Sequence, residues 1–166
     1  LTAVYVVLNF AGTVRLGWIN ISVASLPVIV GAMLYGPVGG LLVGLLGAFM
    51  GQLLTYGVTA TTILWILPQA ARGLLVGVYA KHCGYKFSSG QLTLALIGTA
   101  LVVTALNTGA MYIDSVIYNY YSYAYVFGGL VVRIISGAAT AVLMVFVAPP
   151  VVNLLNRSLD TVRTAQ

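Results

Sequence analysis

Three ionisable side chains stand in stretches otherwise made of apolar residues. Arg72 ends the run I-L-W-I-L-P-Q-A-A-R, Arg133 sits in G-L-V-V-R-I-I-S, and Asp114 sits in A-M-Y-I-D-S-V-I. A charge inside an apolar span is costly and is a functional candidate by default. Arg15, Arg72 and Arg133 face the single acid Asp114 in that half of the molecule, so cations outnumber acids. Two arrangements satisfy them: Asp114 pairs with one arginine while the other snorkels to the surface, or an anionic ligand supplies the missing negative charge. The forked donors of a guanidinium suit a carboxylate.

Polar and aromatic neighbours widen the candidate set. Gln69 lies one helical turn before Arg72. Asn107, beside Thr108, is placed to hydrogen-bond either a ligand or a neighbouring helix. Tyrosines occur at 118, 120, 121, 123 and 125, five within eight residues. They read either as an aromatic belt at the membrane interface or as a loop stacking on a planar ligand ring, with Tyr121 and Tyr123 taken as ligand residues. Trp18 and Trp65 carry the same two readings.

Catalysis lacks parts. Asp114 and Asp160 are the only acidic residues, and Asp160 is in the tail, which excludes two-carboxylate and carboxylate–metal mechanisms. His82 beside Cys83 offers too few ligands for a metal, and one cysteine makes no intrachain disulfide. No enzyme activity, metal or bound cofactor is expected.

The elements that must position these residues follow from composition. The chain has 166 residues, 61% hydrophobic and 5% charged, with mean hydropathy +1.06. Soluble domains carry about 25% charged residues, so the lipid bilayer is its surroundings. The expected fold is an all-α membrane protein, one domain over 1–166, a bundle of six transmembrane helices. Span 1 is 1–12, cut short at its start; a polar loop covers 13–22; span 2 is 23–35 and span 3 is 37–56, turning at Gly36-Pro37. Span 4 is 63–80, span 5 is 92–113, a loop covers 114–125, and span 6 is 126–152, long enough to tilt or to break at Pro149-Pro150. In span 3 the glycines at 40, 44, 47 and 51 recur every three or four residues and line one helix face, a seam for close helix contact. Lys81, Lys86, Arg157 and Arg163 fall on one side by alternation, against Arg15 on the other. The positive-inside rule then puts both termini in the cytoplasm.

The ensemble resembles the membrane S components of energy-coupling factor (ECF) transporters, the vitamin-capturing subunits. The resemblance rests on F-A-G at 10–12, I-S-V-A-S-L-P at 21–27, G-A-M-L-Y-G-P-V-G-G-L-L-V-G at 31–44, L-N-T at 106–108 and Arg133. The hairpin and the L-N-T look closest to the folate-specific members. The resemblance implies a multi-pass protein of a bacterial cell membrane that captures folate or a related vitamin in an outward-facing pocket. It implies as partners a membrane T component and two cytoplasmic ATPases, which would hydrolyse the ATP, and no nucleic acid. In the family, small residues in span 1 dock the T component; Ala3 is the one retained here. Folate's two carboxylates would suit Arg72 and Arg133, and its pterin edge would suit Asp114. The alternatives are another vitamin (pantothenate, a queuosine precursor, riboflavin or a pyridoxine-like compound) or a small non-transport helix bundle or channel.

Overall fold

Glycine decides where this chain turns and how closely its helices pass. The computed structural model describes residues 1–16, 19–85 and 89–164, with backbone alone over 13–16, 19–21, 89 and 158–164. Helix α1 is Thr2–Ala11, followed by strands β1 (Thr13–Leu16) and β2 (Ile19–Ser22) and a 3-10 turn, Val23–Ser25. Then come α2 (Leu26–Tyr56), α3 (Thr62–His82), α4 (Ser89–Ile117), α5 (Tyr123–Phe127) and α6 (Leu130–Thr164).

Within α2, Gly36 has φ +74° and ψ −160°, backbone that residues with a Cβ rarely adopt. Pro37 follows with no N–H to carry the helix across. The two arms, 26–35 and 37–56, fold back on each other. A Cβ at Gly31 would lie 3.1 Å from the Val43 side chain, and Gly40 lies against Ala32. In a straight helix residues 31 and 43 would stand about 18 Å apart. The turn expected at Gly36-Pro37 is therefore present.

The first arm is the centre of the molecule: every residue from Pro27 to Met33 is buried. Ile29, Val30, Ala32 and Met33 pack with Val76 of α3, Leu92, Leu96 and Ala100 of α4, and Ala141, Met144 and Ala148 of α6. The second arm carries the glycine seam, and all four glycines are buried. Gly40 and Gly44 meet the α3 backbone at Gly73 and Gln69, while Gly47 and Gly51 meet Tyr5 and Asn9 of α1. Gly73 and Gly77 answer from α3, against Gly40 and Pro37. The face inferred from spacing thus serves two neighbours, one at each end.

Among the described residues, four segments are long and apolar enough to cross a membrane: Val23–Tyr56, Thr62–His82, Gly90–Ile117 and Tyr123–Arg157. The last is the most apolar and the least covered by protein, leaving Val131, Ile135 and Phe146 exposed. Such a surface belongs in lipid. The count differs from six full spans. The expected second and third spans form one segment bent at Gly36, whose first arm reaches only about 15 Å, half the ~30 Å hydrocarbon thickness. At ten residues, α1 is equally short.

Other boundaries shift for local reasons. The expected polar loop at 13–22 contains an antiparallel hairpin pairing Thr13 with Ser22 and Leu16 with Ile19, so the fold is predominantly rather than wholly helical. The β-branched residues Thr13, Val14, Ile19 and Ile21 favour such strands. Helix α4 continues to Ile117, which puts Asp114 in the helix rather than in the loop. The tyrosine loop shrinks accordingly, and α5 occupies its second half. Helix α6 runs unbroken through Pro149 and Pro150 to Thr164.

Candidate functional site

One face of α3 lays out the site. Trp65, Gln69 and Arg72 are four and three residues apart, so they share a face, while the α3 backbone near Gln69, Gly73 and Gly77 is pressed against α2. Facing them, α4 contributes Thr104, Asn107 and Asp114, α6 contributes Arg133, Ser136 and Thr140, and α1 contributes Tyr5 and Asn9. The end of α2 adds Gln52 and Tyr56.

Three cavities run between these faces and share walls. An aromatic chamber of about 350 Å³ is bounded by Tyr56, Trp65, Asp114, Tyr118, Tyr120 and Tyr125. A middle chamber of about 400 Å³ lies among Tyr5, Asn9, Gln52, Trp65, Gln69 and Asn107. A cationic chamber of about 250 Å³ has Ser25, Gln69, Arg72, Thr104, Asn107 and Arg133 on its walls. Trp65 borders the first two; Gln69 and Asn107 border the last two. Volumes of this order suit a small molecule.

Asp114 is buried, 8% exposed, but its partners are not arginines. It accepts from Thr61 Oγ1 at 2.5 Å, from Trp65 Nε1 at 3.4 Å, and from the Tyr120 hydroxyl. The internal ion pair considered from the sequence is thus replaced by a carboxylate clamp joining the 57–61 loop, α3 and the tyrosine loop. The bond to Asp114 is the main cause that holds the Tyr120 hydroxyl above the usual tyrosine range, so Tyr120 remains a donor at neutral pH. Replacing Asp114 by alanine would strand the Thr61 and Trp65 donors, each at about 1–3 kcal/mol. A lowered melting temperature for Asp114→Ala in detergent is the expected result.

The arginines differ. Arg133 donates to the carbonyls of Val126 and, at 3.4 Å, of Gly129, and reaches Thr108 Oγ1 at 3.5 Å. It braces the start of α6 against α4. Arg72 is half-buried and has no hydrogen bond or ion pair among the described residues. Buried Ser25 Oγ and Gln69 Oε1 also lack a hydrogen-bond partner there.

Of the residues expected from the sequence, Trp65, Gln69, Arg72, Asn107, Asp114 and Arg133 come together on these cavities. Tyr121 and Tyr123 lie outside these three chambers. Tyr121 packs edge-on against Tyr112, with centroids 5.5 Å apart, and Tyr123 against Phe127 at 5.1 Å; both are exposed. Tyr118, Tyr120 and Tyr125 take the walls instead, because helix α4 runs on to Ile117 and rotates the loop. Arg15 is placed by its backbone in β1, opposite Asn20, with its side chain outside the described residues, as is all of Trp18. Tyr5, Asn9, Gln52 and Ser25 were missed. A polar residue in an apolar span was the available signal for Asn9 and Gln52.

A helix bundle of this apolarity, with cavities lined in part by polar side chains, is that of an integral membrane protein. The sequence pattern of the ECF transporter substrate-specific component family matches residues 1–152, and the chain belongs to that family. Its members are substrate-binding transport subunits rather than enzymes, and they work with ECF T and ATPase partners. No curated protein matches the sequence significantly.

Proposed function

We propose that the chain is the folate-capturing subunit of an ECF transporter, with both termini cytoplasmic and the tyrosine-loop end facing outward. The observation that carries this reading is the polarity of the cavity run. An acid among aromatic rings lies at one end, and an uncommitted guanidinium lies at the other. Folate has the matching polarity, a flat ring with an amino edge at one end and carboxylates at the other. Asp114 uses three acceptor positions on Thr61, Trp65 and Tyr120, and an ionised carboxylate offers about four. The remaining position would take the pterin amino group, with the ring against Trp65 and the tyrosines. The glutamate carboxylates would then lie toward Arg72. Both arginines line the cationic chamber, and Arg133 would hold the second carboxylate.

A second reading keeps the family and changes the vitamin. Because Arg133 is committed to carbonyls, Arg72 alone would serve a ligand with one carboxylate, such as pantothenate.

Tryptophan fluorescence tests the folate assignment. Trp65 borders two chambers, so folate added to the purified protein should quench its emission, and Trp65→Phe should remove most of that response. Absence of quenching or thermal stabilisation at micromolar folate, with a response to pantothenate, would transfer the assignment to the second reading.

A further inference from the structure

Ser25 occupies a capping position and makes no cap. It precedes Leu26 at the start of α2, where a serine ordinarily accepts from the second or third helical N–H. Pro27 is the second helical residue and has no N–H to give, and no side-chain capping bond forms. The residue is 3% exposed, and its Oγ has no partner among the described residues. Ser25 lines the cationic chamber and also a narrow recess of about 20 Å³, whose walls include Ile29, Leu96, Ala100 and Met144. Arg72 borders both spaces as well. Gln69 Oε1 is the second unpartnered buried atom, and Gln69 sits one turn from Arg72 on the same wall. Buried polar atoms are nearly always paired in folded proteins. Here a hydroxyl, an amide oxygen and a guanidinium, all from residues on the wall of one cavity, lack hydrogen-bond partners among the described residues.

We propose that Ser25, Gln69 and Arg72 form the anchoring subsite of the ligand, and that it selects a carboxylate carrying an N–H or O–H donor a few atoms away, as in an N-acyl amino acid. The inference rests on the reading of a carboxylate-bearing vitamin given above and names the group that is read. Arg72 and the Ser25 hydroxyl supply donors to the carboxylate, and the apolar walls of the recess keep water from competing with them. Gln69 Oε1 is an acceptor beside the cation. It would repel a bare anion without a donor and instead accept an amide N–H, which separates an acylamino acid from sulfate. Folate and pantothenate both contain the required unit; riboflavin has no carboxylate.

The test uses the full chain purified in detergent, with wild type, Ser25→Ala and Gln69→Met each titrated with folate, pantothenate and riboflavin and melted with and without them. The expected result is binding of at least one acylamino acid, weakened about tenfold or more in Ser25→Ala, as for a hydrogen bond to a charged group. Ligand-free Ser25→Ala should melt no lower than wild type, because the hydroxyl it removes holds nothing in the protein. Gln69→Met should weaken folate more than pteroate, which lacks the amide N–H. Binding of pantothenate but not folate, with the Ser25→Ala loss intact, removes the folate reading and keeps the subsite. Unchanged affinity in Ser25→Ala overturns the proposal, as does binding of riboflavin alone or of no acylamino acid.

Discussion

Gly73→Ala is expected to abolish the folded, monodisperse protein in detergent. A Cβ at Gly73 would fall on the Gly40 carbonyl, closer than real Cβ contacts occur, and 2.9 Å from Leu41 N. The added methyl is Cβ itself, with no rotamer to escape into, and the atoms it meets are backbone. The second arm of α2 and α3 would have to separate, losing the contacts at Gly44–Gln69 and Gly77–Pro37 as well. Overpacking in cores costs about 1–3 kcal/mol and occasionally more; a rigid backbone seam belongs at or above the upper end. Gly98→Ala is the control. Nothing lies within 4 Å of its added Cβ, and exchanging glycine for alanine in a helix favours folding by roughly 0.5–1 kcal/mol. Size-exclusion profiles and melting curves of the two variants should diverge.

The second large effect is on binding. Arg72→Ala should weaken the carboxylate ligand by about 2–5 kcal/mol, the loss typical when one partner of a buried hydrogen-bonded charge pair is removed. That is roughly a 30-fold to several-thousand-fold rise in Kd. The same variant should retain its ligand-free melting temperature, since Arg72 makes no hydrogen bond or ion pair among the described residues. Arg133→Ala should behave differently. Its guanidinium holds the Val126 and Gly129 carbonyls, so its removal should lower the melting temperature even without ligand. Measuring affinity and melting for both variants separates a residue reserved for ligand from one that also braces the fold.

Much of this organisation was legible in the sequence, and the reasons for the rest are physical. Gly36-Pro37 announced its turn because few other residue pairs break an apolar helix so sharply. The spacing of Gly40, Gly44, Gly47 and Gly51 announced close packing, but the partners could not be read, because the i, i+4 pair Gly73 and Gly77 in another helix marks a packing face without naming what it meets. Trp65, Gln69, Arg72 and Asn107 stood out as polar or aromatic residues in apolar surroundings. The environment of Asp114 was not legible. Its partners Thr61, Trp65 and Tyr120 come from three separate elements, and the helix end that buries it is marked only by Asn119, which takes the left-handed conformation at φ +57° just past Ile117. Tyr121 and Tyr123 were indistinguishable by type from Tyr118, Tyr120 and Tyr125; only the end of α4 decides which tyrosines face the cavity. Nothing in the sequence sets Ser25 apart from other serines in the chain, and Pro27 shows its consequence only once the helix start is known.

The most direct test of a ligand-capturing cavity with Arg72 at its anionic end is calorimetric titration of the purified chain with folate, wild type beside Arg72→Ala. The expected result is saturable one-to-one binding that Arg72→Ala loses while remaining folded. Equal binding by the two proteins, or no saturable binding of folate or any other carboxylate-bearing vitamin to the wild type, would contradict the account.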